Sequence, residues 1–278
     1  MHRAFRHRRA TAAAAGIIAA ILLAAGARAA GAPEPIRVLV FNIHAGKDAA
    51  GKPNLDGVAA LVKSTGAIAA LLQEVDVNTA RSGGVDQVQT LKTATGFDAA
   101  FGPSLIRYDG GQYGLAILSR DPIGFHSTIP LPVLPPQTRA GGSHEPRVAL
   151  LAFVTRRATT PIWHVLNTHL DPADGPARAQ EIAHLVETYK DQAAAKEPVL
   201  VGGDFNSTPD NPVLQPLRAA GLRDAWTECG AGDGFTYPAD TPVKRIDYLF
   251  LSGDLHCSKA EVIDTQVSDH RPLVVTLK

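Results

Sequence analysis

The sequence predicts a layered α/β (α+β) domain, and three observations carry that prediction. Short apolar runs recur along the chain, partly β-branched and bounded by Gly, Pro, Asn or Asp, a pattern of buried strands rather than helices. Amphipathic segments at helical spacing lie between some of them. After residue 35 no charge block, low-complexity tract, linker or internal repeat divides the chain, so residues 36–278 read as one domain. Many buried strands with a few covering helices hide their apolar faces only by stacking in layers.

The chain opens on a different kind of segment. Arg3, Arg6, Arg8 and Arg9 precede an uncharged stretch from Ala10 to Ala27, and Ala27-Arg28-Ala29 supplies a small-residue exit. A basic start, apolar middle and A-x-A end describe a secretory signal peptide over residues 1–29, hence export to the periplasm or beyond. An uncleaved amino-terminal membrane anchor is the alternative reading of the same stretch. The runs Ile36–Phe41, Ile68–Leu72, Leu115–Leu118, Val148–Phe153, Ile162–Leu166, Val199–Val201, Ile246–Leu251 and Leu273–Leu277 are the expected strands. Asn54 to Ser64 brings Leu55, Val58, Leu61 and Val62 onto one helical face, with Gly66 as the stop. Pro176 to Lys190 does the same with Ala179, Ile182, Leu185, Val186 and Tyr189, its proline near the start where helices tolerate it. Thr128 to Gly142, rich in Pro and Gly, is expected to be a long surface loop. Cys229 and Cys257 are the only cysteines, and in an exported protein an even count points to one disulfide.

Charge excludes one class of function. The whole chain has 27 basic and 27 acidic residues; without residues 1–29, which carry five arginines and no acid, 22 basic face 27 acidic, a net of −5. No basic tract suited to coating nucleic acid follows. No nucleophile elbow, phosphate-binding loop or dinucleotide fingerprint appears in its structural context either, which argues against a serine hydrolase.

Chemistry gathers where the strands end. FNIHAGKD, LLQEVD, LNTHLD, VGGDFNSTPD, KRIDYLFLS and VSDHRPL each set an Asn, Glu, His or Asp against an apolar run. Asp and Asn also form turns, so no single position is decisive. Glu74 has no turn role and interrupts an apolar ending, which makes it the firmest member. Six such segments point to one site of oxygen and imidazole groups, the inventory of a hard divalent cation and a phosphoester. Asp204 and Asn206 stand one residue apart, a spacing that turns both to one side of an extended chain.

These motifs resemble the endonuclease/exonuclease/phosphatase superfamily, the DNase I-like fold; GGDFNSTPD and SDHRP are the most specific of them, and the likeness runs in order from Ile36 to Lys278. The resemblance implies a four-layer sandwich, two packed and mainly antiparallel β-sheets flanked by helices, with the site at one edge. It implies Glu74 as ligand of Mg²⁺ or Mn²⁺, with Asn42 and Asp269 beside it. It also implies Asp247 as the partner of His270, Asp204 and Asn206 as the pair around the attacking water and a phosphate oxygen, and His169 near the phosphate or leaving group. Arg147 resembles the family's strand arginine near the phosphate. Arg81, in RSGGVDQ, and Arg245 are further candidates to hold anionic substrate, while Asp86 is read equally as a helix cap. Whether Asp204 or His270 takes the proton stays open at this level.

The expected activity is hydrolysis of a phosphoric ester on a small organophosphate or a phospholipid headgroup, with contact to membrane lipid if the latter. A secreted nuclease acting on DNA or RNA is the alternative, and a non-catalytic binding module of the same fold is the rival from another class. Nothing in the sequence points to a protein partner.

Overall fold

The structure is a computed structural model that describes residues 35–136, 145–155 and 162–278. Strands β1 (Ile36–Asn42), β2 (Ala69–Val77), β3 (Asp98–Tyr108), β4 (Gly111–Ser119), β11 (Cys257–Val262) and β12 (Leu273–Leu277) form one sheet. Its order is β11-β12-β1-β2-β4-β3. The second sheet holds β5 (Ile123–Pro130), β6 (Val148–Thr155), β7 (Ile162–His169), β8 (Val199–Asp204), β9 (Arg223–Asp224) and β10 (Asp247–Leu251), ordered β5-β6-β7-β8-β10-β9. Helices α1 (Leu55–Ser64), α2 (Gln87–Thr95), α3 (Gly175–Ala193), α4 (Gln215–Ala219) and α5 (Ala225–Cys229), with 3-10 turns at His44–Gly46, Ala80–Ser82 and Pro212–Leu214, complete the described elements.

Alternation along the strands builds the layers. On β1, Val38 and Val40 enter the core between the sheets, while Leu39 and Phe41 face the apolar side of α1. On β7 and β8, Val165 and Leu200 point between the sheets and Leu166, Val199 and Val201 meet Ile182 and Leu185 of α3. Strands covered on both faces must be apolar throughout, which is why these runs look continuous in the sequence. Each fully buried leucine or phenylalanine contributes roughly 1.5–3 kcal/mol by leaving water. The result is helix, sheet, sheet, helix, the four-layer sandwich.

Each sheet contains one parallel pair, β1 with β2 and β7 with β8; the remaining pairings are antiparallel. A parallel pair needs a crossover, and α1 and α3 supply the two. The carboxyl ends of these paired strands meet at one edge. Beneath it a polar pin crosses the core: Gln73 Nε2 donates to Asn167 Oδ1 at 2.7 Å, and Asn167 Nδ2 donates to the Leu72 and Ala116 carbonyls.

Some expectations need correction. Thr128 to Pro130 belong to β5, and Leu131 and Val133 are buried, so the proline-rich stretch is not loop from its start. Residues 137–142 of that stretch, and all of residues 1–29 with the expected export signal, lie outside the described residues. Cys229, closing α5, and Cys257, opening β11, form a disulfide with 6.0 Å between their Cα atoms.

Candidate active site

Asn42 ends β1 and is almost wholly buried. One amide hydrogen goes to Glu74 Oε1 at 3.2 Å, the other to Asp204 Oδ2 at 3.1 Å, and its oxygen accepts the His44 N–H. Asn42 thereby ties one sheet to the other. Glu74 is not at a strand end: β2 continues to Val77. Its register against β4 shifts between Leu72 and Val75, and Glu74 itself has φ +58°. This bulge lifts a carboxylate out of an otherwise buried strand into a cavity of about 520 Å³.

The second sheet supplies the opposite wall. Asp204 closes β8 and Asp247 opens β10, opposite each other in the ladder. His270 reaches them from the turn before β12: its Nδ1 is 2.9 Å from Asp247 Oδ2, its Nε2 3.7 Å from Asp204 Oδ2. His169, the last residue of β7, brings its Nε2 within 3.6 Å of the same Asp204 oxygen. Asp204 therefore stands under two imidazoles, with Asn42 at its side. Asn206 reaches the cavity by a turn, not by extended chain: it has φ +47°, and Phe205 between the two is fully buried. Its backbone N–H donates to Asp204 Oδ1, and its Nδ2 donates to the Leu170 carbonyl, leaving one amide N–H for the cavity.

Burial and charge set the protonation states. Burial drives the Asp204 carboxyl up, Asp247 adds to the rise, and His270 with the Asn206 and Asn42 donors opposes it; the result is about 7. Burial alone would depress His270, but Asp247, through its charge and hydrogen bond, with Asp204 and Asp269 behind it, raises the imidazole to about 10. His169 goes the other way, kept neutral by burial and by the positive charges of Arg147 and His270.

Asp269, 31% exposed, lines the cavity and receives the Ser268 hydroxyl on Oδ1 at 3.2 Å. Arg147 lines it too, paired at 2.9 Å with buried Glu145. Arg81 lines the far side, gripped by Asp76. Asn42 and Asp247 stand behind the cavity wall, and Arg245 does not line the cavity either. It is buried against Asp224 at 2.8 Å and over the Tyr248 ring, where it holds α5 and β10 together instead of facing substrate. Asp86 caps α2 by accepting the Gln89 N–H. Sequence reasoning missed Tyr108, Tyr113, Glu145, Tyr237 and Lys244 on the cavity wall. The only sequence sign of Tyr237 is its place in TYPAD shortly before KRID.

Asp204, Asp247 and His270 offer ligand atoms within 4.8 Å of one another, so a buried acidic and imidazole group able to hold a metal ion is present. An imidazole held protonated has no lone pair to give, however, and both nitrogens of His270 already face carboxylates. Glu74 and Asp269, partly exposed carboxylates on the cavity wall, suit a hard divalent cation better.

The fold and this edge cluster define a phosphoesterase-type scaffold. Residues 39–270 match the model of the Endonuclease/Exonuclease/phosphatase family, and the chain belongs to that family, whose members are hydrolases of phosphoester bonds. The uncharacterised protein YbhP of Escherichia coli K12 is 29% identical over 180 residues, 63% of this chain; the chain spans 66% of that relative's length. A mannosyl-6-phosphatase of Bacteroides thetaiotaomicron shares the fold at TM-score 0.74 and 19% identity, over 87% of this chain and 99% of that one. The catalytic domain of human Nocturnin does so at 0.70 and 21%, over 88% and 93%.

Proposed function

We propose that the chain is a divalent-metal-dependent phosphoric ester hydrolase acting on a small organophosphate or a phospholipid headgroup. The carrying observation is the Asp247–His270–Asp204 array, one imidazole between two buried carboxylates, with His270 and Asp204 lining the cavity. With its carboxyl near 7, Asp204 is the group suited to take a proton from the attacking water around neutral pH. His270, at about 10, cannot serve as that base; as an imidazolium, whose Nε2 is 3.7 Å from Asp204 Oδ2, it would stabilise the charge that builds on the phosphoryl oxygens. In this reading neutral His169 donates a hydrogen bond on the leaving-group side, and the remaining Asn206 N–H fixes a phosphate oxygen. Glu74 and Asp269 would hold Mg²⁺ or Mn²⁺, which supplies polarisation of the phosphoryl oxygens and stabilisation of the leaving alkoxide.

A small substrate is favoured because the site is one cavity of about 520 Å³, and the likeness to a mannosyl-6-phosphatase supports a phosphomonoester. Export belongs to the same proposal, supported by the Cys229–Cys257 disulfide and the basic, then apolar, amino terminus. The test is turnover of glycerol 3-phosphate, mannose 6-phosphate and phosphatidylcholine vesicles with Mg²⁺ and with EDTA. Chelator-sensitive hydrolysis of at least one is expected; turnover indifferent to chelator, or none on any phosphoester, rejects the reading.

A further inference from the structure

Away from the Asp204 cluster, the cavity wall contains a guanidinium held more firmly than a solvent-facing arginine needs to be. Arg81 sits in a short 3-10 turn, Ala80–Ser82, whose backbone is fixed by Asp109: the Arg81 N–H donates to Asp109 Oδ2 at 2.6 Å. Its Nε and Nη2 each donate to one oxygen of Asp76 at 2.8 Å, a two-point fork on a fully buried carboxylate. Its Nη1 donates to the Tyr108 hydroxyl at 3.2 Å, and its carbon lies 4.9 and 5.1 Å from the Tyr108 and Tyr113 ring centres. Of five N–H groups, three are spoken for. One on Nη1 and one on Nη2 remain, on a side chain that is 31% exposed and lines the cavity.

Asp76, which also accepts the Thr79 hydroxyl at 2.9 Å, is a poor stability device as a buried partner of Arg81, since desolvation cancels most of the attraction. The same arrangement is an efficient way to hold a planar donor pair at one angle. Such a pair matches the two oxygens of a carboxylate or phosphate through directed hydrogen bonds, even where the net charge of the Arg81–Asp76 pair is small. Arg81, Tyr108 and Tyr113 line the same cavity of about 520 Å³ as Glu74, His169, Asp204 and His270, so a small molecule in that cavity can meet both groups.

We infer that Arg81, with Tyr108 and Tyr113, forms an oxyanion subsite, and that the preferred substrate is a small phosphoester whose alcohol part bears a second anionic group, a carboxylate or another phosphate. This rests on the hydrolase reading above. The test uses matched pairs with the full-length chain: glycerol 3-phosphate against 3-phosphoglycerate, and fructose 6-phosphate against fructose 1,6-bisphosphate. The two pairs separate a carboxylate from a phosphate as the second anion. The wild-type chain should prefer the second-anion member of at least one pair by about tenfold or more in kcat/KM. Arg81→Lys keeps the charge but loses the fork, and should erase most of that preference; Tyr108→Phe, which frees Nη1, should erase part of it. No wild-type preference, or equal losses on both members of each pair, overturns the inference. If none of the four is hydrolysed, calorimetric binding of the same compounds to wild type and Arg81→Lys decides the subsite separately: tighter binding of the second-anion members that Arg81→Lys abolishes supports it, and equal binding rejects it.

Discussion

His270 and Asp247 bond at 2.9 Å inside the protein, and everything expected of either depends on the other. Removing the Asp247 charge lets burial pull the imidazole back down, so the proposed imidazolium is lost with either partner. We expect Asp247→Asn, His270→Ala and the double variant each to lower kcat by about 100- to 1,000-fold, the double within a few-fold of the singles, as for residues that act as one unit. Multiplicative losses would show independent action. The pH profile follows with a definite sign. A carboxylate raised to about 7 is protonated and idle below that value, so kcat/KM should rise as pH increases through about 7. It should fall again only toward 10, where His270 loses its proton. Asp247→Asn should bring that upper limb down toward neutrality, an outcome that a profile identical to wild type would contradict. Glu74→Gln keeps shape and removes the charge suited to a cation. Its activity should drop by about 100-fold and recover in part with excess Mg²⁺ or Mn²⁺.

At the scale of elements, β2 shows where sequence reading succeeds and where it stops. The run Ile68–Leu72 marks the strand, and Glu74 stands out as an acid in apolar company, yet nothing in LLQEVD announces that the strand continues past it through a bulge. The fully covered strands β1, β7, β8, β10 and β12 were legible because both faces are apolar. β3, β5, β9 and β11 were not: Gly102 and Pro103 interrupt β3, β9 is two residues long, and β11 is an edge strand with the polar residues Ser258, Lys259 and Glu261 outside. Arg245 shows the same limit in the site. KRID reads like a cation beside a catalytic acid, but Arg245 lies before β10 and pairs with the buried Asp224 instead. Tyr108, Tyr113 and Tyr237 reach the cavity only through tertiary packing, which no local pattern encodes. The Cys229–Cys257 bridge ties α5 to the edge strand β11 across a separation of 28 residues. By the chain-entropy model it should stabilise by about 3–4 kcal/mol. Urea unfolding with and without reductant measures this; identical midpoints, or two titratable thiols in the unreduced unfolded chain, would remove the bridge from the account.

For the molecule as a whole, the two parallel crossovers converge the carboxyl ends of β1, β2, β7 and β8 on one edge, so the candidate chemistry occupies a single cavity rather than a long surface track. Its charge agrees with that shape. Beyond residue 29 the chain has a net of −5. Both arginines on the cavity wall already face a buried acid, Arg81 with Asp76 and Arg147 with Glu145. A duplex polyanion is held by many unneutralised cations along its backbone, and each contacted phosphate adds about −0.9 to the log–log salt slope. A cavity whose two arginines are already paired and whose further basic side chain is Lys244 can grip one or two oxyanions through directed hydrogen bonds but offers little to a phosphate track. We therefore expect higher kcat/KM on small phosphoesters or phospholipid headgroups than on plasmid DNA or RNA at equal metal, with at most a shallow salt dependence. Rapid plasmid nicking that weakens steeply with salt, without small-ester or lipid turnover, would reverse this preference and make the chain a nuclease.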